Sequence, residues 1–133
     1  MYIKKLIEDR KLRGIIKDVL GLLGSTEQEI KHYMGSGKLE KSENGVSFIY
    51  KTEFEEHSIY ISDFFISSTR GAYNVDKKLG KYWYNFMSSN FSDYQEKYYQ
   101  HEKQKIDAEY NKKIKNLEEL IAYFEEDKSI DEN

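Results

Sequence analysis

Between Asp93 and Asp127 the chain contains neither glycine nor proline, and proline is absent from all 133 residues. Glycine interrupts a helix through its backbone freedom and proline through its missing N–H, so a run without either is free to stay helical. The segment predicts one helix of about 35 residues, roughly 50 Å long at 1.5 Å per residue. Its apolar positions are Tyr99, Ile106, Tyr110, Ile114, Leu117, Leu120, Ile121 and Phe124. The second half of that set is dense and is expected to be buried. The first half, mostly Tyr, Gln, Glu and Lys, reads as a solvent bridge. Asp93 with Lys97 and Glu109 with Lys113 set an acid four residues before a base, the favourable order on a helix. A helix longer than the compact part of a small domain protrudes, pairs with a second copy or grips a partner. Lys103 and Lys113 interrupt a strict heptad here.

Upstream, Leu12, Ile15, Ile16, Val19, Leu20 and Leu23 follow the spacing of a buried helical stripe. Ile3, Leu6 and Ile7 fall on the opposite side at 100° per residue, which predicts a break near Asp9-Arg10-Lys11 with Asp9 capping the second piece. Gly24 is a helix stop. Ser25-Thr26-Glu27-Gln28 has the form of a capping box, and Ile30, Tyr33 and Met34 continue at helical spacing up to Gly35-Ser36-Gly37. Asn44-Gly45 then predicts a two-residue type I′ turn between strands at Lys38–Glu43 and Val46–Thr52. That hairpin sets Leu39, Lys41, Val46, Phe48 and Tyr50 on one face. A third strand is expected at about His57–Ile66, followed by a loop over Ser67–Gly71. Val75, Leu79, Tyr82, Trp83, Phe86 and Met87 make a further helical stripe, and Ser92–Gln95 offers another capping box before the long helix. No internal repeat is visible. The expected fold is α+β: N-terminal helices, a three-stranded antiparallel meander, and two C-terminal helices including one long amphipathic helix. Residues 1–91 form a compact domain in this reading, 92–127 the long helix, and 128–133 an acidic tail.

Several chemistries are excluded or unsupported. There is no cysteine, so neither a disulfide framework nor thiolate chemistry is available. His32, His57 and His101 have no second histidine at metal-ligand spacing. His57 stands beside Glu53, Glu55 and Glu56, where a carboxylate–histidine pair is conceivable but ordinary surface chemistry is the simpler reading. No nucleophile-elbow spacing surrounds any serine. The expectation is a non-catalytic protein with no cofactor and no metal. No apolar run approaches a membrane span, and the acids Glu8 and Asp9 stand where a secretory signal would be apolar, so a cytoplasmic location is expected.

Charge is uneven along the chain: residues 1–24 sum to +3 and residues 92–133 to -5, within a net -3. Helices followed by a hairpin is the order of a winged helix-turn-helix, with Thr26–Met34 as reading helix and Lys38–Thr52 as wing. Nucleic-acid binding through Lys38, Lys41, Lys4, Lys5, Arg10 and Lys11 is therefore an alternative. Glu27 and Glu29 on the reading helix are the wrong charge for phosphates. The aromatics carry more weight. Nine fall among the 27 positions from Tyr73 to Tyr99, too many for the single core-facing side of a helix. Exposed Tyr and Trp are enriched at protein–protein hot spots. The leading expectation is a small protein–protein interaction module that occupies a host or cognate protein's surface, with Trp83, Tyr84, Tyr94, Tyr98 and Tyr99 as contacts and Trp83 as anchor or core. Small, Cys-free, Tyr/Lys/Glu-rich chains of this kind are common among phage-type accessory proteins. An inhibitor of a host defence nuclease fits that composition, and a homodimer through the long helix is compatible with it.

Overall fold

A computed structural model of the chain describes residues 2–6, 8–71 and 74–131, excepting the side chains of residues 5, 6, 9 and 127–131. The chain divides into two units, Met1–Ser92 and Asp93–Asn133. The first is α+β. A single 3₁₀ turn, Ile3–Leu6, precedes α1 (Asp9–Leu22) and α2 (Glu27–Ser36). Four strands follow, β1 (Lys38–Lys41), β2 (Val46–Lys51), β3 (Glu56–Ile61) and β4 (Ile66–Ser68), and then α3 (Val75–Asn90). The second unit is α4 (Tyr94–Asp131), 38 residues long.

The predicted break near Asp9 is present, but what precedes it is one 3₁₀ turn instead of a helix. Glu8 takes the N-cap position expected of Asp9, without a side-chain cap bond. Leu12, Ile15, Ile16, Val19 and Leu20 are all buried on α1, each contributing about 1.5–3 kcal/mol relative to exposure. The helix closes in a Schellman arrangement: the Ser25 N–H donates to the Leu20 carbonyl and the Gly24 N–H to that of Gly21, with Gly24 at φ +89°. The capping box of α2 lies one residue later than expected. Thr26 Oγ1 accepts from the Glu29 N–H, and the Glu29 carboxylate accepts from the Thr26 N–H.

The sheet is an antiparallel meander of four strands, order β1-β2-β3-β4, where three were expected. The segment read as one strand over His57–Ile66 turns back at Ser62–Phe65. Ser62-Asp63 carries turn-favouring residues, but Phe64-Phe65 continues the apolar run and masks the turn. The first hairpin also differs from expectation. Lys41 pairs with Val46, so the connection is the four residues Ser42–Gly45, and Gly45 is not at positive φ. The shift of register is two residues, which leaves every side chain on its predicted face.

All three turns are built alike. Ser42, Thr52 and Ser62 stand ten residues apart, and each donates its backbone N–H to the carbonyl three residues on, at 2.9 Å. Each hydroxyl donates to that same carbonyl, at 3.0, 3.0 and 3.2 Å. A ten-residue repeat of turn and strand thus underlies the sheet. Val46, Phe48, Tyr50, His57, Ile59, Ile61 and Ile66 share its buried face. Helix α2 packs on β2, α3 on β4, and α1 touches both α2 and α3. The Trp83 indole N–H donates to the Ser62 carbonyl at 2.9 Å and lies 3.2 Å from that of Asp63. Asp63 Oδ1 in turn accepts from the Ile3 N–H at 2.7 Å.

Candidate interaction surfaces

Eleven large hydrophobic side chains are exposed among the described residues, and nine of them lie on α4: Tyr99, Ile106, Tyr110, Ile114, Leu117, Leu120, Ile121, Tyr123 and Phe124. The expectation that the second half of this helix is buried is overturned. Every described side chain from Lys103 to Glu126 is exposed, Leu117 at 58% and Phe124 at 60%. Soluble proteins tolerate scattered apolar side chains, but a contiguous row of this length marks an interaction surface. Periodicity places eight of them within about 60° of Leu117 on one side of a helix, with Tyr123 off that side. It could not show whether the chain supplies anything to cover them.

The predicted contact residues fall into different environments. Trp83 takes the core role of the two foreseen for it: it is buried, with its ring stacked on Phe86 at 5.5 Å. Tyr84 on α3 is half-buried. On α4, Tyr94 is buried, Tyr98 half-buried with its ring 5.9 Å from that of Tyr94, and Tyr99 63% exposed. Tyr73, part of the same aromatic run, lies outside the described residues. Of the residues named for nucleic acid, Lys38 and Lys41 lie exposed on the edge strand β1, Lys4 in the 3₁₀ turn, and Arg10 and Lys11 in the first turn of α1. The Lys5 side chain lies outside the described part.

A second cluster, not foreseen from the sequence, gathers beside α2. The Arg70 guanidinium donates to Ser25 Oγ at 2.9 Å and lies 5.9 Å above the Tyr33 ring. Tyr33 contacts Tyr50 at 4.9 Å, and its hydroxyl donates to Glu29 at 3.2 Å. Burial pushes the Tyr33 hydroxyl up, reinforced by the Glu29 carboxylate. Burial does the same to Tyr50, partly offset by the nearby Arg70 guanidinium. His57 Nε2 lies 3.3 Å from Glu55, one of the three carboxylates beside it in sequence, and Nδ1 3.3 Å from Thr69 Oγ1. Thr69 Oγ1 also accepts from the Ser58 N–H at 2.8 Å, which ties it to the sheet ladder. A cavity of about 240 Å³ opens between Arg70, His57 and the rim carboxylates Glu29, Glu53 and Glu55. One guanidinium among three carboxylates is poorly suited to hold an anion. No group of three or more potential metal ligands occurs among the described residues, and no helix among them is long and apolar enough to cross a membrane. No family model, curated protein or solved structure matches the chain.

Proposed function

We propose that the chain is a non-catalytic protein–protein interaction module that engages its partner through α4. The observation that carries this reading is the row of exposed apolar side chains from Tyr99 to Phe124. Leaving nine such groups in water has no structural benefit, whereas covering them with a partner contributes roughly 25 cal/mol per Å² removed from water. The flanking charges favour a protein over nucleic acid: Glu118, Glu119, Glu125 and Glu126 crowd the C-terminal half of the helix, where phosphates would be repelled. Composition supports a more specific form, an inhibitor of phage type that covers the working surface of a host protein such as a defence nuclease.

The test is a tagged pull-down from host lysate, with and without nuclease treatment, run beside Leu117→Glu/Ile121→Glu. The expected result is a stoichiometric protein partner that survives nuclease and is lost with the double variant. Loss of all bound material on nuclease treatment, or a partner retained by the variant, would overturn the reading.

A further inference from the structure

We infer that the occupant of the Tyr110–Phe124 face is a second copy of this chain, arranged as a parallel two-stranded coiled coil. The inference rests on the reading of α4 as an interaction surface: the seam pairs two copies, and Tyr99, Ile106 and Tyr123, exposed outside it, remain for the further partner, so variants of the seam lose both. The heptad phase set by Tyr99 and Ile106 would place Lys113 in the seam, which is why a strict repeat fails over the whole helix. Two successive steps of four, Ile106 to Tyr110 to Ile114, shift the phase. From Tyr110 onward the steps alternate four and three: Tyr110, Ile114, Leu117, Ile121 and Phe124, all exposed. In heptad positions these are d, a, d, a, d. Both a positions are isoleucine and the central d is leucine, the combination that favours two parallel strands.

Charge selects the same arrangement. Lys113 falls at g and Glu118 at the following e, both exposed. In a parallel pair the g side chain of one helix meets the e side chain of the next heptad on the other, so Lys113 meets Glu118 twice by symmetry. An antiparallel pair that sets Leu117 against Ile121 would instead bring Glu118 against its own copy. Leu120, at g, argues the other way, because only the antiparallel pair sets it against itself. The antiparallel pair would also set Lys113 against Asp127 twice, which balances the two attractive pairs of the parallel one, so the orientation is decided by the Glu118 like-charge contact avoided and by isoleucine at both a positions.

The experiment is sedimentation equilibrium of the full chain over roughly a hundredfold range of concentration, which spans weak coiled-coil association. Twice the chain mass is expected at the upper end. Leu117→Glu should raise the dissociation constant by about a hundredfold or more through loss of the central layer. Lys113→Glu alone should raise it several-fold, and Lys113→Glu/Glu118→Lys should restore it to within about twofold, since the pair is only exchanged. The chain contains no cysteine, so single replacements report orientation cleanly. Leu117→Cys should form a disulfide dimer on mild oxidation, and Glu118→Cys should not. Fluorescence of Trp83, the only tryptophan, checks in each variant that the first unit remains folded. A monomer at every concentration, a higher oligomer, a dimer indifferent to Leu117→Glu, or efficient linkage through Glu118→Cys would each overturn the inference. A monomer that still captures another protein through the same face would leave the interaction reading standing, and a partner retained by Leu117→Glu/Ile121→Glu would remove that reading.

Discussion

A methyl group at Gly45 would lie 2.5 Å from the Ile61 carbonyl oxygen and 2.8 Å from the Tyr60 ring. The sequence marks this glycine as a turn residue through its tolerance of positive φ, yet its φ is not positive; what it supplies is room for β3 to pass close by. Gly45→Ala is therefore expected to cost about 1–3 kcal/mol through overpacking, read as a fall in the denaturant midpoint with an unchanged slope. The α2 cap offers a second single-residue measurement. Thr26→Ala should cost about 1 kcal/mol. Glu29, its reciprocal partner, is held below the usual 4.5 by the bond from the Thr26 N–H first, then by the Thr26 and Tyr33 hydroxyls. A depressed carboxylate contributes stability that is complete above its unfolded value and lost as pH falls through the folded one. Wild type should thus lose this contribution below pH 4.5. Thr26→Ala should show a shallower acid dependence in thermal melts across that range.

At the scale of elements, apolar spacing located what is long and strongly periodic. The α1 stripe and the Leu79, Trp83, Met87 stripe of α3 are buried as their spacing requires. Less was legible where apolar residues mask the usual punctuation, as at Ser62–Phe65, where two phenylalanines follow the turn residues Ser62-Asp63 and hide the boundary between β3 and β4. Besides the Ser62 bonds that it shares with the other two turns, this turn receives the indole N–H of Trp83, a contact between residues about twenty positions apart that no local pattern displays. Trp83→Phe keeps most of the apolar area but leaves the Ser62 carbonyl without its donor, so a loss of about 1–3 kcal/mol is expected. Amide exchange at Ile66–Ser68 should quicken more than at β2, because α3 packs on β4. The exposure of α4 was illegible for a different reason: a stripe shows which residues share a side, whereas its cover is a property of the surroundings. The Arg70 cluster was hidden by distance, since Ser25, Tyr33, Tyr50 and Arg70 are spread over two elements and two loops.

For the whole molecule, twelve tyrosines make alkaline titration an informative probe. Tyr33, Tyr50 and Tyr82 are all raised above the usual 10.0, chiefly by burial. The Tyr82 hydroxyl, which donates to Asp18 at 2.9 Å and joins α3 to α1, is raised the most. A raised group binds its proton more tightly when folded, so above pH 10 the unfolded chain releases protons first and stability falls as pH rises. In an ultraviolet tyrosinate titration, unfolding should accompany ionisation of these three raised hydroxyls. Tyr82→Phe should lessen that alkaline slope. The ten-residue repeat of turn and strand has a consequence for how such a sheet can change by descent. Ile49-Tyr50 and Ile59-Tyr60 occupy equivalent places in successive units, yet Tyr50 and Ile59 are buried while Ile49 and Tyr60 face outward. Geometry therefore recurs with every unit, but polarity recurs only with every second one, which is also why the repeat escapes inspection of the sequence. A gene duplication that copied one unit would turn the next strand inside out and deliver α3 to the opposite end of the sheet. Copying two would preserve both, so lineages of this fold should gain or lose strands in pairs.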